Sequence, residues 1–376
     1  MNKRIERTIR ILLLALVPMG FYRLPTNLSA QSFLPVYQNG SGEFEIDYVI
    51  GGDIDDEEYF FFSPRDVGLD SQENLFVLDY KGYCIKKFDP EGAHLKTFGR
   101  QGEGPGEMMG PVKMAIDPDD NVVIYDFRNN RFTIFDSDGN FLNGADVNEI
   151  GWRPVVDIHF DPNGFLYLRS WKEDYSQRDP ETLTLVSRLK LDAMEETGVD
   201  STYIRQWYKK HAEQGVTSVS SPFYPELLFN VTPTGNVVVA HSGTYTIKVY
   251  DSDLKVLHET QFEGKRQTVT EEDKSDYFSR FEGAELKTWM RGIVDFPKYK
   301  PYFETLIIDH EGYLLFLVEN DEDETHVFDV FTPDCEFINR VELPRVHSTA
   351  IFKNGLIYTI KRSEDEEPTV CRYSLK

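Results

Sequence analysis

The side chains of this 376-residue chain best placed for chemistry are arginines and aromatics. Arg128, Arg131 and Arg169 each carry a planar guanidinium that can grip a carboxylate or sulfate through two parallel hydrogen bonds. Tyr80, Trp171, Tyr245 and Trp289 offer ring faces for stacking on a sugar or another ring, and His241 and Glu319 stand beside them as polar candidates. Metal chemistry has thinner support. A zinc site needs three or four converging ligands; Asp157, His159, His241 and Glu319 are available, but no spacing motif groups them. The stretch DSDGN invites a calcium reading, yet an EF-hand loop wants Gly at its sixth position and Glu at its twelfth. Here Gly139 is fourth and Val147 twelfth, so a plain turn is expected. There is no G-x-S-x-G elbow and no cysteine with a convincing histidine partner.

The glycine-rich run FGRQGEGPGEM, Phe98 to Met108, looks at first like a phosphate cradle. A Walker-type loop ends in Gly-Lys-Ser/Thr and opens a helix. This one ends in Glu107-Met108-Met109-Gly110-Pro111 and leads into VKMAIDPDD, which alternates like a strand. Self-comparison gives it a different role. MAIDPDDNVVIYDFRNNRFTIFDSDGNFLNG (from Met114) lies under VGLDSQENLFVLDYKGYCIKKFDPEGAHLKTFG (from Val67), strand for strand and turn for turn. Further copies begin VVDIHFDPNG, LLFNVTPTGN, TLIIDHEGY and TAIFKNGL. Their first turns fall at Asp70, Asp117, Asp161, Thr232, Asp309 and Lys353, separated by 47, 44, 71, 77 and 44 residues. Six four-stranded units of this size predict an all-β, six-bladed β-propeller. The glycine-rich run then joins one blade to the next, its glycines allowing the chain to reverse. The last unit supplies only three strands before the chain ends. The N-terminal strand GEFEIDYVIGG is expected to complete it, Phe44–Ile50 lying beside Thr369–Ser374, which closes the ring and removes its sheet edges.

Composition bounds the partners. A formal charge of −24 argues against a nucleic-acid backbone or an anionic membrane surface. Residues 1–30 read as a signal peptide: Lys3, Arg4, Arg7 and Arg10 precede the short apolar run ILLLALVPMGFY, and Leu28-Ser29-Ala30 is a plausible cleavage site. The run is too short to span a bilayer, so the mature chain, 31–376, is expected as one exported domain without a transmembrane segment, periplasmic or associated with the cell surface, and monomeric. Cys84, Cys335 and Cys371 are too few for a disulfide framework; they read as buried small hydrophobes, with a Cys335–Cys371 bridge as the other possibility.

FGRQGEGPGEMMGPVKMAID followed by VVIYDFRNNRFTIFDSDGNFL resembles the NHL-repeat pattern, with Asp126, Asn129 or Asn130, and Arg131 on its D-x-x-N-x-R loop. The resemblance covers roughly residues 65–145; Asp79 matches in the preceding unit, whereas Lys81–Tyr83 lack the Asn and Arg. As a whole the chain resembles the exported bacterial six-bladed propellers. That resemblance implies the fold and leaves the function open, since propellers serve as enzymes, receptors and scaffolds. In such a ring the links between blades and the loops between second and third strands share one face, at the mouth of the central channel. Both long gaps enlarge that side: about 195–222 and about 264–301, expected to be partly helical, with Thr270 as a helix N-cap and Tyr203, Trp207, Tyr208, Tyr277, Phe278 and Trp289 favouring order. They are expected to form a partial lid over Tyr80, Arg128, Arg131, Arg169, Trp171, His241, Tyr245 and Glu319. The plainer expectation for Arg131 is a hydrogen bond to Asp126 that ties blades together, and for Trp171 packing against an insert. The functional reading is a non-catalytic propeller, without cofactor, that binds a glycan, peptide or protein on this face. The alternative is a hydrolase or lyase with Ca or Zn at the channel mouth.

Overall fold

An acceptor side chain begins most tight turns of this chain, and that local preference cuts it into short antiparallel strands. Asp70, Asp117, Asp161 and Asp309 each accept from the backbone N–H groups two and four residues on, at 2.8–3.0 Å. Thr232 Oγ1 does the same for Asn236 N at 3.0 Å. These Asx-type turns close each hairpin before any tertiary contact is needed. The computed structural model describes residues 31–376 except 53–54, 152–153, 174–181, 205–206, 213–214, 221, 321–324 and 363–366, so the expected signal peptide lies outside the described residues.

The strands form six four-stranded antiparallel sheets. From the channel outward, the first blade is Pro64–Leu69, Leu75–Asp79, Cys84–Phe88 and His94–Phe98. The second is Pro111–Ile116, Val122–Asp126, Arg131–Phe135 and Phe141–Asp146. The third runs Val155–Phe160, Leu166–Glu173, Thr182–Lys190 and Glu195–Ile204, and the fourth Leu227–Val231, Val237–His241, Thr246–Tyr250 and Val256–Gln261. The fifth is Thr305–Ile308, Leu314–Asn320, Thr325–Phe331 and Phe337–Pro344. The sixth takes Ile351–Lys353, Leu356–Lys361 and Thr369–Leu375 from the C-terminus and Phe44–Gly51 from the N-terminus. The closing register runs from Phe44 opposite Leu375 to Gly51 opposite Thr369, as the repeat pattern predicts. Ahead of that strand a short helix, Leu34–Asn39, buries Val36 and Tyr37 together with Phe33 against the fifth and sixth blades, and Tyr37 Oη donates to Asp309 at 2.8 Å.

The apolar core lies between blades and is divided among them. Phe76, Leu78, Phe98, Met114, Ile124 and Phe135 fill the space between the first and second blades. A basic side chain on the third strand bolts several of these seams. Lys87 Nζ donates to Ser137 O at 3.0 Å, Arg188 to Ser252 O at 2.6 Å, and Arg372 to Pro90 O. Each acceptor is in the outer turn of the following blade, so the cation replaces a lost water contact on a carbonyl.

The glycine-rich run is a self-tied connection. Asp126, fully buried, accepts from Met109 N at 2.9 Å, Gly110 N at 2.8 Å, Asn129 N at 3.3 Å and Asn129 Nδ2 at 2.8 Å. Asp79 holds the preceding link in the same way, through Phe62 N and Ser63 N, both at 2.8 Å. Arg131 does not bond Asp126. Its guanidinium takes three carbonyls of the glycine-rich run instead, Glu103 at 3.0 Å, Gly104 at 2.7 Å and Glu107 at 2.8 Å. Gly102 is required there: its φ is 150°, and an added Cβ would come within 2.1 Å of Glu107 Oε2. Asp126→Ala strands three backbone donors, and at ~1–3 kcal/mol for an unsatisfied buried donor the expected loss is about 3–5 kcal/mol, read from the denaturant midpoint. Asp126→Asn retains an acceptor and should lose less.

The two long excursions differ in kind. Residues 195–204, expected in the first insert, form the outer strand of the third blade, and the chain then makes a hairpin, Trp207–Ala212 with Gly215–Ser220, rather than a helix. The second carries two helices, Glu271–Ser279 and Ala284–Ile293; Thr270 caps the first through a reciprocal pair with Asp273. Val219 of the hairpin is buried in one cluster with Tyr277, Met290 and Val294, so the excursions share a small core of their own. Cys84, Cys335 and Cys371 are all free and buried, and the Cys335–Cys371 bridge is not formed.

Candidate ligand site at the channel mouth

All six inner strands line a central cavity of about 280 Å³. The first three blades put Asp66, Lys113, Asp157 and His159 on its wall, and the other three put Asn230, Leu306, Ile307, Ser348 and Thr349 there. The channel is therefore charged on the first three blades and neutral on the other three. Register shifts at Pro64/Asp66, Pro111/Lys113 and Val155/Asp157 mark the charged half, where a bulge re-aims each side chain.

Within that half the charges are tied. Lys113 Nζ lies 3.0 Å from Asp157 Oδ1, and His159 Nε2 lies 3.7 Å from Asp157 Oδ2. Asp66 Oδ2 accepts from Met114 N at 3.0 Å, joining the first blade to the second. Burial works against the ionised Asp157, but Lys113, His159 and Arg169 outweigh it and hold this carboxyl well below its usual range. Burial also dominates at Asp66 and raises its pKa, with Lys113 opposing. Lys113 is raised: desolvation pulls it down, and Asp157 and Asp66 more than restore it. Arg169, a residue singled out in the sequence, is turned away from solvent, with Nη1 2.5 Å from Glu226 Oε2 and 3.3 Å from Leu227 O.

Near this layer Arg65 and Arg362 come together beside Lys113. Arg362 Nη2 donates to the carbonyl of Pro64, which brings it to the same corner as Arg65. Burial and the nearby Arg65 lower the pKa of Arg362. The Arg65 guanidinium stands 4.9 Å over the Tyr80 ring. Arg65, Arg128 and Arg362 are exposed, and among the described residues none of them has a carboxylate within ion-pairing distance. Arg128 rests its stem beside Gly110, where an added Cβ would meet Cγ at 2.9 Å. Neither Arg65 nor Arg362 was among the sequence candidates. Both sit at strand ends, beside Pro64 and Lys361, and not at the tips of the loops searched.

His347, in the link to the sixth blade, feels the same charge. Burial, then Arg362, Lys113 and Arg65, push its pKa down to about 4. His326 is likewise lowered to about 4, by burial and Arg345. Both values lie below the ~6.5 of a free histidine, so this stability is present above pH ~6.5 and is lost as pH falls toward ~4, where the unfolded chain binds the extra protons. The expected result is an unfolding midpoint that falls across that interval, by less in a His326→Gln/His347→Gln variant.

Residues 69–335 match the family model of the DUF5128 six-bladed β-propellers. The chain is a DUF5128 propeller. Among solved structures it is similar to a DUF4221 member from Bacteroides vulgatus, at 12% identity and TM-score 0.54, with 90% of this chain and 98% of that one covered. It is similar in the same degree to a Bacteroides fragilis protein described as exported, at 12% identity and TM-score 0.50, covering 89% and 95%. At these identities the likeness is one of fold. The curated protein lin-41 of Caenorhabditis elegans is 44% identical over 48 residues, only 13% of this chain and 4% of that protein. No helix among the described residues is long and apolar enough to cross a membrane.

The remaining candidates divide within this DUF5128 propeller. Tyr245 is buried and is not offered to a ligand: its hydroxyl donates to Asp329 at 3.0 Å and its ring packs among Phe262, Tyr302, Phe303, Phe316 and Phe331. Its φ of 53° turns the side chain inward from what reads, in sequence, as a loop tip. Trp289 is half-buried in the core shared by the excursions. His241 belongs to a separate polar cleft of about 260 Å³ with Asp200, Thr244 and Lys248, and its Nδ1 accepts from Gly243 N at 3.2 Å. Burial lowers its pKa, with Lys248 acting the same way. Trp171 is half-buried, and its backbone N–H donates to Pro154 O at 3.3 Å. The Glu319 side chain lies outside the described residues. Among the described residues no three His, Cys, Asp or Glu side chains converge on one point.

Proposed function

We propose that this propeller is an exported, non-catalytic binding protein whose channel mouth takes a glycan bearing carboxylate or sulfate groups. One observation carries the reading: in a chain with net charge −24, Arg65 stands exposed over Tyr80, Arg362 reaches the same corner through Pro64, and Arg128 is exposed beside the link at Gly110. Exposed arginines with no carboxylate beside them among the described residues suit a planar anion, which can accept two hydrogen bonds from each fork. Tyr80 supplies a face for a sugar ring, and the neutral half of the channel tolerates the uncharged part of the ligand. The test is calorimetric titration with trigalacturonate and with the neutral trigalactose at two salt concentrations. Binding of the acid alone, weakening as salt rises, supports the reading; equal binding of both, or of neither, overturns it.

A second reading is a hydrolase or lyase with Ca or Zn in the channel, favoured by the placement of Asp157, His159 and Asp66 around one cavity. Lys113 already occupies Asp157 Oδ1 and competes with a cation there. Stoichiometric metal in protein purified without chelator would select this reading.

A further inference from the structure

The seam between the second and third blades is incomplete. The first two repeats are offset by 47 residues, so the pieces that fill the preceding seam can be compared directly. In the first blade Lys87 lies across Phe76 at 4.8 Å, with its ammonium 3.2 Å from Asp70 Oδ2 and 3.0 Å from Ser137 O. Lys96 donates to Asp138 O, and Phe98 packs on Phe135 at 5.2 Å. In the second blade the equivalents of Lys87, Lys96, Phe98 and Phe76 are Ile134, Asn143, Ala145 and Val123. Each is shorter than its counterpart. A cavity of about 630 Å³ remains where those side chains would have been, and all four replacements line it. That size falls in the range of small-molecule sites.

The equivalent of Asp70 is Asp117, which also lines the cavity. Its oxygens accept from Asp119 N, Asn121 N and Asn121 Nδ2, but among the described residues no ammonium reaches it. The cavity thus has a half-buried carboxylate at one end and Val123, Ile134, Phe160, Leu191 and Met194 along its length. Glu149 and Asp192 add negative charge, against the single cation Lys190 among the described residues. Both features lost with Lys87, an alkyl stem and a terminal ammonium, are what an aliphatic amine carries. We propose that this inter-blade cavity binds a small alkylammonium ligand, its chain lying along Ile134 and its ammonium on Asp117. The site is separate from the channel mouth and does not depend on what binds there.

The test is titration of the full mature chain at 150 mM salt with n-hexylammonium, using n-hexanol and n-hexanoate as matched probes. One hexylammonium per chain is expected, bound at least tenfold more tightly than either control. Ile134→Lys supplies the missing ammonium internally and should abolish that binding while raising the melting temperature. Ala145→Phe, which restores the ring found in the preceding seam, is a second way to fill the space and should also abolish it. The proposal is overturned if hexanol binds as well as hexylammonium, or if either filled variant folds and still binds the amine as the parent does.

Discussion

A chain lacking residues 31–51 is expected to lose its cooperative thermal transition. The sixth blade would keep three strands, and the edge running Thr369–Leu375 would be left open. Phe33, Val36, Tyr37 and Ile50 would leave the core together, all of them nearly inaccessible in the closed ring. At roughly 1.5–3 kcal/mol for each large apolar side chain, the loss is about 6–12 kcal/mol, comparable with the ~5–15 kcal/mol that holds a typical domain. Two polar contacts of the seam, Arg372 to Asp47 at 2.9 Å and Ser374 to Asp47 at 2.6 Å, go as well. Circular dichroism on heating and gel filtration would report the change, and a synthetic peptide of residues 31–51 should restore part of the transition. An unchanged melting temperature in the truncated chain would show that the closing ribbon contributes nothing.

Replacing Arg65, Arg128 and Arg362 together by alanine should weaken trigalacturonate binding by two orders of magnitude or more. A hydrogen bond to a charged group contributes ~1.5–3 kcal/mol, and at ~1.4 kcal/mol per factor of ten two lost contacts suffice. The folded state should be nearly untouched, because all three side chains are exposed and, among the described residues, Arg362 alone makes a hydrogen bond to backbone, at Pro64. Lysine at the same positions keeps the charge and loses the fork, so an intermediate affinity is expected for a bidentate site. If the triple alanine variant binds with parental affinity, the ligand sits elsewhere.

The ring itself was legible in the residues because its blades are specified locally. Asp at Asp70, Asp117, Asp161 and Asp309 predicts its own turn, and the six turns set the strand count and the closure with Phe44–Gly51. The site was legible only in part. Tyr80 and Arg128 lie where the loops place them, but Arg65 comes from an inner strand and Arg362 from just past the end of a second strand, and they meet through tertiary packing that no local pattern encodes. Tyr245 misled for a related reason: a positive φ in a short loop can turn a ring into the core, and Asp329, which receives its hydroxyl, is 84 residues away. Arg131 carries a recognisable loop position, yet its partners are carbonyls, which sequence does not display.

The pairing of the two ends of the fold also fixes an order of events during synthesis. Phe44–Gly51 leaves the ribosome before any blade exists, yet its partner Thr369–Leu375 follows all five other blades. Hairpins in between can form as they emerge, since their contacts are near in sequence. The final lock waits for Thr369–Leu375 to emerge, and until then the nascent chain remains an open arc.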